Sequence, residues 1–189
     1  MKHKDRPVAK AERRAPGPFR RFFRDRKGST AIEFAALALP FSMLLFAIFE
    51  TCISIAGQQI LANATDDVAR QLRTGQIKAA DVNETKLKKL ICDHLDVIVA
   101  SGCPGLIVDL RKFDTFALAA QVKFKIVGKK LDKTGIAVAP GGSLSKNMLR
   151  VFYEWPVMTD LLRLAMSNID DDKTLLFASA TWQNEPFDD

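Results

Sequence analysis

Residues 31–56 read AIEFAALALPFSMLLFAIFETCISIA. The only formal charges in this stretch are Glu33 and Glu50, one near each end, and from Phe34 to Phe49 sixteen residues pass without a charge, with Ser42 the only polar side chain. A helix over the stretch, rising about 1.5 Å per residue, reaches roughly 39 Å, against about 30 Å for the hydrocarbon core of a bilayer. It is long enough to span. Two other readings fit less well. A buried helix of a soluble core rarely follows directly on a cationic segment such as RRFFRDRK at residues 20–27. A removable secretory signal ending near Ser54-Ile55-Ala56 has a shorter basic lead and a shorter apolar run than these.

Working outward, the charge is unevenly placed. The chain of 189 residues has a formal net charge of +6, but residues 1–28 carry eleven Lys and Arg against Asp5, Glu12 and Asp25, a balance of +8. The rest carries seventeen basic residues against nineteen acidic ones, a balance of −2. The basic side flanks only the N-terminal end of the apolar stretch. The positive-inside rule therefore puts residues 1–28 in the cytoplasm and everything after about residue 57 outside, which in the inner membrane of a Gram-negative bacterium is the periplasm. Phe19, Phe22 and Phe23 stand among the arginines of the tail and suit shallow burial at an anionic lipid surface. The lipid bilayer is the expected partner of this end, and no nucleic acid is expected.

The helix does not stop at the membrane. In GQQILANATDDVARQLRTGQ, apolar residues recur at Leu61, Ala64, Val68 and Leu72, Asp66 is placed to pair with Arg70, and Gly75 offers a stop. The spacing predicts one helix of about forty-five residues, with Pro40 as a kink point. A second helix is predicted in DVNETKLKKLICDHLDVIVAS, opened by Asp81 and Glu84, with Leu87, Leu90, Ile91, Leu95 and Ile98 on one face. Beyond Gly105 the period falls towards two, and GLIVDLRKF, FALAAQVKFKIVG, NMLRVFYEWPV and KTLLFASATWQ read as strands. Residues 127–147 read as a long hairpin connection, flexible at Gly141-Gly142, and TDLLRLAMSN as a short helix. The fold class is α+β: a single transmembrane N-terminal helix continues into a domain built on an antiparallel sheet. The divisions are a basic leader at 1–28, the transmembrane helix at 29–56, its amphipathic extension at 57–75 and a periplasmic domain at 76–189.

Little in the sequence points to catalysis. His3 and His94 are the only histidines, and no phosphate-binding glycine loop and no His-Glu-x-x-His is present. Cys92, Asp93, His94, Asp96 and Cys103 together offer metal-ligand types, but their spacing matches no common zinc pattern. A Cys92–Cys103 disulfide in an oxidising compartment accounts for the two cysteines better, and Cys52 is left as a free, buried packing thiol. No catalytic residue, metal or cofactor is expected. Glu50 falls near the outer interface, where a structural or topological role suits it. Glu33 stands at the entry of an apolar helix, where a carboxylate is costly without a partner.

Arg26-Lys27-Gly28, followed by Ser29-Thr30-Ala31-Ile32-Glu33-Phe34, resembles a class III prepilin leader: a basic segment, a glycine, then an apolar helix whose fifth residue is glutamate. The run GSTAIEFAALALPFSMLLFAIFE is similar to the N-terminus of TadE-like minor pseudopilins of the tight-adherence (Flp) pilus system, and Asn184-Glu185-Pro186 is similar to an ending common in that family. The resemblance implies cleavage between Gly28 and Ser29 by a prepilin peptidase, and no enzymatic activity of the chain's own. It also implies assembly with other pilins or pseudopilins and with an inner-membrane pilus platform, through Glu33 and Phe34. In pilin-like assemblies such a glutamate meets the N-terminal ammonium of a neighbouring subunit. An uncleaved, membrane-anchored periplasmic binding module is the alternative.

Overall fold

A computed structural model describes residues 29–188. The leader and Gly28 lie outside the described residues. The chain divides into two compact units, Met1–Leu44 and Leu45–Asp189.

The first unit contributes the opening of helix α1, which runs over Ser29–Arg73 as 45 residues with Pro40 inside it. Proline has no N–H to give, so the carbonyl four residues back loses its helical donor. The large apolar side chains here are exposed, Phe34 at 72%.

The second unit begins within α1 and holds the rest of the fold. From Leu61 the apolar positions Leu61, Ala64, Val68 and Leu72 become buried. The helix ends at Arg73, and Gly75 takes φ +72°, a left-handed conformation that glycine adopts without a Cβ clash. A short 3₁₀ turn at Ala79–Asp81 leads to α2, Glu84–Leu95. The cap of α2 is Asn83, whose side chain accepts from the Lys86 N–H at 2.8 Å. Asp81 belongs instead to the 3₁₀ turn, two residues too early to cap.

Strands β1 (Leu106–Phe113), β4 (Val138–Ala139), β5 (Lys146–Pro156) and β6 (Lys173–Gln183) form one sheet in the order β4-β1-β5-β6. The β1–β5 and β5–β6 pairs are antiparallel, and the two-residue β4 joins β1 in parallel, so the sheet is mixed at one edge. Residues 116–121, expected as the start of a strand, form helix α3 (Phe116–Gln121), because Thr115 caps it by accepting from the Leu118 N–H. The residues that follow give only a small hairpin, β2 (Ile126–Val127) with β3 (Lys130–Leu131). Helix α4, Asp160–Met166, stands between β5 and β6.

One face of the sheet meets the helices. Val108 and Leu110 of β1, Leu149, Val151 and Trp155 of β5, and Leu176 and Ala178 of β6 share a core with Leu61 and Val68 of α1 and Leu87, Ile91 and Leu95 of α2. At Gly57 the approach is close: a Cβ there would lie 2.7 Å from the Trp155 ring. The opposite face carries a smaller cluster, Ile107, Leu131 and Phe152. Phe124, Phe152 and Phe177 stack there with centroids 5.0 to 5.4 Å apart.

Cys92 and Cys103 form a disulfide with their Cα atoms 5.8 Å apart. It ties the end of α2 to the entry of β1 across a loop of 11 residues, worth on the order of 2 to 3 kcal/mol through the unfolded chain. Cys52 is free but exposed, not buried as the sequence suggested. Its stretch of α1 turns most of its side chains away from the domain.

Candidate functional site

Ser29 is the first residue of α1, and Glu33 and Phe34 follow one turn on, both exposed. Four residues separate Ser29 from Glu33, an axial rise of about 6 Å. Ile32, Leu37, Phe41 and Leu44 extend the exposed surface along the same unit. Ser29 and Glu33 thus stand at the opening of an apolar helix. In the second unit Phe46, Phe49 and Ile55 continue the exposed apolar series. Among the described residues, α1 is long and apolar enough to cross a membrane, by length and composition.

Residues 28–70 match the family model of TadE-like proteins. The TadE-like segment covers Gly28, Ser29, Glu33, Phe34 and most of α1, and it stops three residues before the helix does. The family suggests involvement in the tight-adherence pilus system and interaction with its other components. No curated protein and no solved structure matches the chain.

Where the TadE-like helix leaves its exposed stretch, Glu50 is held. Its carboxylate accepts the Met158 N–H, the Thr159 N–H at 3.1 Å and the Thr159 hydroxyl at 2.5 Å. About two turns further, Gln58 braces the edge strand: its side-chain amide donates to the Phe177 carbonyl at 2.8 Å and accepts from the Phe177 N–H at 3.3 Å. Glu50 thus ties α1 to the entry of α4 and Gln58 ties it to the sheet, through groups that an apolar helix would otherwise lack. Further along, Arg70 pairs with Asp67 at 2.8 Å and not with Asp66. Three and four residues are both neighbouring distances on a helix. Asp67 wins because it also receives the Gln71 amide at 2.8 Å and lies 3.6 Å from His94 of α2. Hydrogen bonds from Arg70 and then Gln71 hold the Asp67 carboxyl below the ordinary carboxylate value.

The Asn184-Glu185-Pro186 ending is a clasp. Asn184 is buried; its amide nitrogen donates to the carbonyls of Gly141 at 3.0 Å and Gly142 at 2.7 Å, and its oxygen accepts from the Trp182 indole at 2.7 Å. Glu185 donates its N–H to the Arg73 carbonyl at 2.9 Å, which caps the end of the TadE-like helix. Phe187 covers Gly75, where a Cβ would lie 2.6 Å from the ring. The Gly141-Gly142 turn, expected to be a flexible point, is gripped on both sides, since the Gly141 N–H also donates to Asn147 at 2.7 Å. These residues act on the fold itself.

The metal-like group at Cys92, Asp96 and Cys103 falls to the disulfide, which uses both thiols. Sequence reasoning missed a buried ionic cluster. Arg150 gives Asp109 two hydrogen bonds, at 2.9 and 2.6 Å, across the β1–β5 register. Asp109 also accepts from the Ala137 N–H at 3.0 Å and from Arg111 Nη2 at 3.1 Å. Arg111 Nε lies 2.9 Å from the same carboxylate but is not directed at it, so that contact is ionic only. The signal was available: an aspartate inside GLIVDL and an arginine inside NMLRVF interrupt otherwise apolar strands. With Asp109 fully enclosed, the cluster holds β1, β5 and the 136–138 segment together and offers no open reactive group. Beside it, Phe116, Phe124, Met148, Phe177 and Thr181 line an open groove of about 710 Å³.

Proposed function

We propose that this protein is a minor pseudopilin that assembles, primes or anchors a tight-adherence pilus. It acts as a structural subunit, without catalysis of its own. A prepilin peptidase hydrolyses the Gly28–Ser29 bond, and α1 spans the inner membrane with residues 1–28 cytoplasmic and the α+β domain periplasmic. The observation that carries this reading is a TadE-like match that opens at Gly28, one residue before α1 begins. The charge step from +8 to −2 across the apolar stretch supports the orientation. The Cys92–Cys103 disulfide suits an oxidising compartment.

Cleavage leaves an ammonium on Ser29 near the Glu33 carboxylate. A staggered neighbouring subunit can bring its own Glu33 to that ammonium, and in a medium of low dielectric such a pairing favours one register of addition. Phe34 supplies apolar contact beside it. Partners of this surface are other pilins or pseudopilins and the inner-membrane platform.

The test is chemical and uses the full chain co-expressed with its prepilin peptidase. Mass spectrometry of the membrane form should find Ser29 as the mature N-terminus, and Gly28→Val should leave Met1. Glu33→Gln should still be cut, yet recover partner pilins about tenfold less well, the loss expected for about 1.4 kcal/mol. A wild-type protein that keeps Met1 overturns processing. It would favour the second reading, an uncleaved anchored binding module, for which the 710 Å³ groove offers a place.

A further inference from the structure

The geometry at Glu50 constrains more than the helix. Taken from Thr30, about 20 apolar residues cross a hydrocarbon core and reach Phe49, so Glu50 falls at the far interface. Whatever Glu50 holds is held at that interface too. It holds the backbone at Met158 and Thr159, the entry to α4. Thr51, the next residue, lies 4.0 Å from the Met166 sulfur at the other end of α4, so the short helix lies beside the exit of α1. The segment then returns towards β6, and there the Asp170 N–H donates to the Lys129 carbonyl at 2.7 Å, with Lys130 Nζ 3.9 Å from the Asp170 carboxylate. Residues 157–172 and the turn of the β2–β3 hairpin therefore form one base around the exit of the apolar helix.

That base is apolar where a soluble surface would be polar. Leu164 is 93% exposed, Met158 75% and Val127 63%. Several charges between them are matched: Arg163 with Asp160 at 2.7 Å and Asp172 at 3.6 Å, Lys173 with Asp171 at 3.6 Å and Glu154 at 3.2 Å. Protruding apolar tips among charges of both signs complement the layer where zwitterionic headgroups meet acyl chains.

We propose that this base is a lipid-binding surface, seated in the outer headgroup layer of the bilayer that α1 enters, with Leu164, Met158 and Val127 inserted towards the acyl boundary. The domain is then fixed against the membrane by α4 and the hairpin as well as by α1, and leaving the bilayer for a fibre requires both to be released. This rests on the membrane-spanning reading of α1, and the test separates the two.

Full-length protein, with Cys52→Ser and the Cys92–Cys103 disulfide intact, is reconstituted in phosphatidylethanolamine–phosphatidylglycerol vesicles as three labelled variants: Leu164→Cys at the base, Phe46→Cys on the apolar helix and Lys89→Cys on exposed α2. Each carries a bimane fluorophore, and lipids with a nitroxide on the upper acyl chain serve as quencher. Quenching at position 164 should approach that at 46 and exceed that at 89 by roughly threefold or more, with little change at high salt. Strong quenching at 46 with equal weak quenching at 164 and 89 overturns the seat and leaves the span standing. Weak quenching at all three overturns the span itself. A label at 164 that escapes lipid quenching while the unlabelled Leu164→Cys variant cross-links to a second copy through that cysteine also overturns the seat, by showing a protein on that face.

Discussion

From Ile32 to Ile55 most large side chains of α1 are apolar and exposed, whereas from Leu61 to Leu72 the same helix buries its apolar positions. The backbone is continuous across both, so the difference comes from where the side chains point and what receives them. In the second half the apolar residues keep to one stripe, and that stripe meets the sheet and α2. In the first half they occupy every side, and no single sheet face can receive a helix that is apolar all round. A helix apolar on every side suits lipid or the faces of other helices.

The strongest way to break this comparison is to truncate one side chain from each half. Leu61→Ala should lower the unfolding free energy in mild detergent by about 2–5 kcal/mol, since it empties a fully enclosed site. Phe46→Ala should change it by no more than about 0.5 kcal/mol. Equal losses in chemical denaturation would show that the exposed half is part of the folded core.

A smaller effect is expected at the end of the helix. Asn184→Ala removes the amide that joins Trp182 to Gly141 and Gly142, and leaving such buried groups without partners costs about 1–3 kcal/mol. Hydrogen exchange should quicken at Thr74, Gly75 and Glu185 and stay unchanged at residues 45–55. Unaltered exchange at the helix end would mean that the tail only rests there.

The smallest effect is electrostatic. The Asp67 carboxyl is held below its ordinary value by Arg70 and Gln71, so it releases its proton more readily in the folded state. Its stabilisation is fully present above the unfolded carboxylate range and is lost as pH falls through the lowered folded value, that is, below about pH 4. Being a partly exposed pair, it contributes a few tenths of a kcal/mol, about 0.3. Asp67→Asn should cost that much at neutral pH and nothing measurable in strong acid. A penalty that grows on acidification contradicts the assignment.

Periodicity made much of the molecule readable. A continuous apolar run, a stripe at helical spacing and a glycine able to take positive φ are local properties, so the length of α1 and its end near Gly75 follow from the sequence. So does the candidate cysteine pair, because only 11 positions separate the two thiols along the chain. The α+β class follows from the change of period after Gly105. The candidate cleavage and assembly residues could be named only by resemblance, since a lone Gly-Ser bond and a lone glutamate have no periodicity to betray them.

What the sequence could not supply was the choice among equivalent local partners and the meeting of distant ones. Asp66 and Asp67 are both within reach of Arg70, and the Gln71 amide together with the packing of α2, which brings His94 beside Asp67, separates them. FALAAQ suits a strand or a helix, and the Thr115 cap with the strand register beside it selected the helix. Glu50 with Thr159, Asp109 with Arg150 and Asn184 with Gly141 are separated by 109, 41 and 43 positions. Each residue advertises a need for a partner, because a carboxylate or an amide in an apolar setting is costly alone. Which partner meets that need is set by strand order and by the return of the chain, and these arise only when the whole core is assembled.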